Sequence, residues 1–116
     1  MDIDKETNKK IEDLQILEHN LQNVLAQKQN VQLELGEILN ALGELKKSED
    51  EAYKIVAGIM IKSDKKNLTF ELEEKKKLLN LRISSIEKQE KFIEKEVSEL
   101  RDEIKDILTK SQKRNS

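Results

Sequence analysis

Two long stretches of the chain carry apolar residues on one alternating period. In the first they fall at Leu14, Leu17, Leu21, Val24, Val31, Leu35, Ile38, Leu42 and Leu45, three and four residues apart in turn, with Lys28 as the single interruption. In the second they fall at Leu79, Ile83, Ile86, Ile93, Val97, Leu100, Ile104 and Ile107, with Glu90 as the single interruption. A three-four alternation keeps one stripe of a helix facing a partner helix along its length, the a/d pattern of a coiled coil. The pattern predicts two long helices, over residues 8–48 and 65–110.

Folding the second helix back on the first brings the two seams into step. Leu45 then meets Leu72, Ile38 meets Leu79, Leu35 meets Ile83, Val31 meets Ile86, Val24 meets Ile93, Leu21 meets Val97, Leu17 meets Leu100 and Leu14 meets Ile104. The same register sets Lys28 opposite Glu90. An opposite-charge pair within a seam can fix register and orientation even where it adds little net stability. The alternative is that both side chains snorkel to water and share a layer by chance.

Between the helices the period changes. Tyr53, Ile55 and Val56 precede Ala57-Gly58, and Ile59, Met60 and Ile61 follow it. β-Branched residues on both sides of a glycine that can take a positive φ predict a β-hairpin over residues 52–63. A lone two-stranded hairpin is marginal in water, and a bare apolar edge invites aggregation. The hairpin is therefore expected to join those of other chains in a shared sheet or barrel, the alternative being an irregular linker packed on the helix ends. Asp64 and Asn67 are candidate N-caps for the second helix. Met1 to Lys9 lacks a full seam and the polar segment 111–116 follows the second one, so both ends are expected to fray.

Composition narrows the class further. Of 116 residues, 40% are charged, 35% hydrophobic and 3% aromatic, with no Trp, too little bulky apolar material for a thick core with an enclosed pocket. Proline is absent, which suits long uninterrupted helices and a single extended domain spanning 1–116, mainly α in class. Lys and Arg number 22 against 24 Asp and Glu, so the basic excess that accompanies nucleic-acid binding is missing. With no Cys there are neither disulfides nor thiolate metal sites. The apolar run Ile55 to Ile61 is far too short to span a membrane, and MDIDKETNKK lacks the apolar stretch of a signal peptide. These features lead us to expect a soluble, cytoplasmic protein without cofactor, nucleic-acid or membrane partner.

Catalytic signatures are missing: there is no Cys nucleophile, no phosphate loop and no H-E-x-x-H. The single His19 falls at a solvent-facing f position without a cluster of ligands, so we read the chain as a non-enzyme. Gly36 and Gly43 lie seven residues apart and each costs the first helix about 1 kcal/mol relative to Ala. A bend, the close approach of another subunit, or simple tolerance would each account for them. Leu25, Leu33, Leu39, Leu78, Leu81 and Phe92 lie outside the seams and are read as packing against neighbouring helices. A further apolar surplus collects at the end away from the hairpin, where Ile11 and Ile16 on the first helix and Leu108 on the second join Leu14, Leu17, Leu21, Ile104 and Ile107. If the helices splay there, these residues form an exposed apolar groove, and such patches mark binding. Alternatively they widen the seam or dimerise end to end.

The stretch AQKQ at Ala26 to Gln29, Glu44-Leu45 at the end of the first seam, the Tyr53-Lys54 hairpin and Glu87-Lys88-Gln89-Glu90, taken in this order, resemble the β class of prefoldin subunits, most closely its archaeal form. The resemblance covers nearly the whole chain, and a single hairpin matches the β rather than the two-hairpin α class. It implies a heterohexamer of two α and four β subunits, whose hairpins form a β-barrel platform carrying coiled-coil arms. It also implies an ATP-independent holdase chaperone that captures unfolded protein clients at the arm tips and delivers them to a group II chaperonin. The tip positions are then Ile11, Leu14, Leu17, Leu21, Ile104, Ile107 and Leu108, the assembly positions Tyr53, Ile55, Val56, Ile59, Met60 and Ile61, and the register pair Lys28 and Glu90. The competing reading is a structural coiled-coil adaptor that binds one folded partner.

Overall fold

The computed structural model describes residues 4–48, 51–56 and 58–115, with the side chains of 51–56, 61, 63 and 112–115 outside that description. Two long helices, α1 (Lys5–Lys47) and α2 (Lys65–Asn115), are joined by an antiparallel hairpin of β1 (Glu51–Val56) and β2 (Ile59–Asp64). The chain divides into two compact units, Met1–Gln27 with Ile86–Ser116, and Lys28–Ser85.

In the Lys28–Ser85 unit the seam behaves as its period requires. Val31, Ile38, Leu42, Leu45 and Leu79 are buried, and Leu35, Leu72 and Ile83 are half-buried. The hairpin pairs Val56 with Ile59, Ile55 with Met60, Lys54 with Ile61 and Tyr53 with Lys62, and extends to Glu51 opposite Asp64, one pair beyond the expected 52–63. Gly58 takes a φ of 81°, a conformation that costs a residue with a Cβ about 1–2 kcal/mol. The sheet has two strands, so each has one outer edge with no strand against it among the described residues.

The helix ends in this unit are individually closed. At the end of α1 the Leu45 carbonyl accepts both the Ser48 backbone N–H (3.2 Å) and the Ser48 hydroxyl (3.0 Å). The Ser48 carbonyl in turn accepts the Lys65 ammonium (3.0 Å), placing a cation where the dipole of α1 favours one. Of the two candidate N-caps for α2, Asp64 serves: its Oδ1 accepts the Lys66 N–H at 3.0 Å.

In the other unit Val24, Ile86, Val97 and Ile104 are buried. α2 is helical to Asn115, past the last seam position at Ile107, since Lys, Gln and Arg are good helix formers and no Gly or Pro stops them. At the other terminus α1 begins at Lys5, capped by Asp4, whose Oδ1 accepts the Thr7 N–H at 2.7 Å. Thr7 itself is only 3% exposed.

The cap leaves a titration signature. The Thr7 backbone N–H, with its hydroxyl in support, holds the Asp4 carboxyl below the usual carboxylate range. A carboxylate depressed in the folded state stabilises the fold above its unfolded value, and that stabilisation is lost as pH falls through the lowered folded value. The start of α1 is thus expected to fray on acidification below about pH 4, read as faster amide exchange at Thr7 and Asn8. Asp4→Asn, which keeps an N-capping side chain, should show no such step, and an equal step in that variant would assign it to other carboxylates.

Candidate functional surfaces

At the end of the unit formed by Met1–Gln27 and Ile86–Ser116, the seam continues past its last Leu in polar form. The same alternation, carried towards the N-terminus from Leu14, reaches Lys10 and then Thr7, and carried on from Ile107 it reaches Ser111. Thr7 is buried and Lys10 and Ser111 are half-buried, so these positions belong to the interface although they carry no apolar signal. Cross-helix ion pairs accompany them. Lys10 meets Glu103 at 3.3 Å, and Arg101 donates to Glu18 Oε1 through both Nη2 (2.9 Å) and Nε (3.3 Å).

Of the seven expected tip residues, Ile11, Leu14, Leu17, Leu21, Ile107 and Leu108 are half-buried and form an apolar belt. Ile104 is 8% exposed, enclosed at its seam position rather than offered on a splayed groove. Ile16, off the seam, is 59% exposed and stands in a shallow surface depression with Glu12, Gln15 and His19. The sequence did contain a signal for the Glu18–Arg101 pair. Each residue directly follows a seam Leu, Leu17 or Leu100, and flanking positions of that kind meet across antiparallel helices.

The second surface is the hairpin. Ile59 and Met60 are 65% and 66% exposed, on a strand whose outer edge has no strand against it among the described residues. Tyr53, Ile55, Val56 and Ile61 occupy ladder positions, and their side chains lie outside the described residues. Leu33, Leu39, Phe70, Leu78 and Leu81 in the same unit, and Leu25 and Phe92 in the other, are exposed, so the helices of this one chain do not cover them. A Cβ at Gly36 or Gly43 would meet nothing within 4 Å, so neither glycine is required by close packing within the chain.

Lys28 and Glu90 are both half-buried and both engaged in polar or electrostatic interactions. Among the described residues no group of three or more His, Cys, Asp or Glu could hold a metal ion, and no helix is long and apolar enough to cross a membrane.

A family model described as "Prefoldin subunit" matches residues 8–111. The chain is 41% identical over 90 residues to the prefoldin subunit beta of Thermococcus onnurineus, covering 76% of this chain and 78% of the relative. To the prefoldin subunit beta of Caldivirga maquilingensis it is 35% identical over 101 residues, 85% of this chain and 84% of the relative. The crystal structure of the prefoldin beta subunit from Thermococcus strain KS-1 matches it with a TM-score of 0.85 and 34% identity, over 92% of this chain and 96% of that one.

Proposed function

The chain belongs to the prefoldin subunit family, and from that premise we propose that it is the β-type subunit of an ATP-independent holdase chaperone. Its hairpin joins those of α-type and further β-type subunits in a heterohexamer of two α and four β chains. Its tip holds unfolded protein clients and passes them to a group II chaperonin in the cytoplasm. The observation that supports this most is the apolar belt of Ile11, Leu14, Leu17, Leu21, Ile107 and Leu108, half-covered at the end of the helices. A half-covered belt offers small, non-directional contacts that release readily, and several arms on one client convert weak contacts into avidity. Nothing in this scheme requires a catalytic group.

The test is reconstitution with an α-type subunit. Native mass should give a hexamer, and the hexamer should suppress aggregation of several unrelated, chemically denatured proteins without nucleotide. Saturation by one folded partner, with no competition from denatured proteins, would instead establish the adaptor.

The register of the arm is proposed to rest on Lys28 facing Glu90, as the two seams align. Lys28→Glu and Glu90→Lys should each lower thermal stability, and the double exchange should recover most of the loss, a coupling of about 0.5–3 kcal/mol. Additive losses would refute the pairing.

A further inference from the structure

We infer that the ion pairs Lys10–Glu103 and Glu18–Arg101 set how far the tip is presented to clients, making these four side chains positioning residues; the inference rests on the client-holding reading above.

The geometry is that of a clasp. Glu103 directly precedes Ile104 and Arg101 directly follows Leu100, so the two links lie on opposite flanks of the α2 seam. Ile104, next to Glu103 on α2, is the one tip residue that is buried, while its six companions are half-buried. Beyond Leu14 the seam positions are Lys10 and Thr7, so closure at the very end draws little on apolar burial and the ionic links carry a larger share. Exposed ion pairs are weak, each worth about a twofold to fivefold change in an equilibrium, and salt screens them. Weakness is what a presenting surface needs. The closed tip hides Ile104, and an arriving apolar segment can offset the loss of the links by covering Ile104 and its neighbours.

The chain has no cysteine, so a single introduced thiol reports opening directly. In the assembled complex, Ile104→Cys supplies the reporter, and Ile107→Cys repeats the measurement at a second site. Adding Glu18→Gln with Glu103→Gln should raise the labelling rate at position 104 about fourfold or more, by removing both links. In a separate pair, Glu18→Arg with Arg101→Glu should return the rate to that of the reporter alone. Without the reporter, Glu18→Gln with Glu103→Gln should hold reduced, carboxymethylated α-lactalbumin more tightly by a similar factor. Glu18→Cys with Arg101→Cys, joined by a short bismaleimide, should hold it several-fold less tightly than before cross-linking. Unchanged labelling, or unchanged holding after cross-linking, would overturn the inference while leaving the holdase reading in place. Failure of the unmodified complex to hold the probe would overturn the holdase reading itself.

Discussion

Replacing Leu14, Leu17 and Ile107 together by Ser should leave the complex assembled and abolish its suppression of client aggregation. All three are half-buried, so each presents part of its apolar surface to a client, of the order of 1 kcal/mol per side chain. Truncating all three on one arm weakens its grip by roughly a hundredfold, and arms acting together lose more through avidity. The substitutions also take apolar surface from the seam, which is why native mass and helical content must be followed alongside. The buried Val24, Ile86, Val97 and Ile104 remain in the same unit to hold it. Full suppression by a correctly assembled triple variant would remove the client surface from this part of the chain.

The second large effect is expected at residues that contribute little to the isolated chain. Ile59 and Met60 are both well exposed, so Ile59→Lys with Met60→Lys should leave the subunit's own helices as stable as before. Consecutive strand positions face opposite sides, so in an assembled barrel one of the two would be enclosed, and an ammonium left there without a partner costs several kcal/mol. Repeated in every β-type subunit, that cost should reduce the native mass from a hexamer to free chains. A hexamer that survives both substitutions would mean that assembly uses another surface, for which the exposed Leu33, Leu39 and Phe70 would be the next residues to test.

What the sequence revealed and what it concealed divide along physical lines. Val31, Ile38, Leu45, Leu79 and Val97 could be read directly, because burial against one partner helix imposes a period that apolar residues display. The hairpin was legible from its β-branched flanks, and the positive φ of Gly58 follows from the turn that joins them. Thr7 and Lys10 were not legible, since a polar residue in a seam position looks like any other polar residue. Ile104 was legible as a seam position facing Leu14, but not whether the helices splay there. Whether a seam stays shut at its end depends on weak links between residues more than eighty positions apart, which no local pattern encodes. The N-cap at Asp4 could have been found: Asp at the head of a charged helical stretch, with Glu6 in the first turn, is a recognisable start signal.

The cross-helix bonds also differ greatly in how far apart they lie along the chain. Lys65 reaches Ser48 across 17 residues, whereas Arg101 reaches Glu18 across 83. The entropy of closing a loop rises with its length, so the short connection at the hairpin is the natural nucleus and pairing proceeds outward one layer at a time, each step shortening the loop left to close. The Glu18 and Arg101 layer forms late in that order and is among the first to open in reverse. The stretch proposed to receive unfolded chains is therefore the part of this one that completes its own folding last.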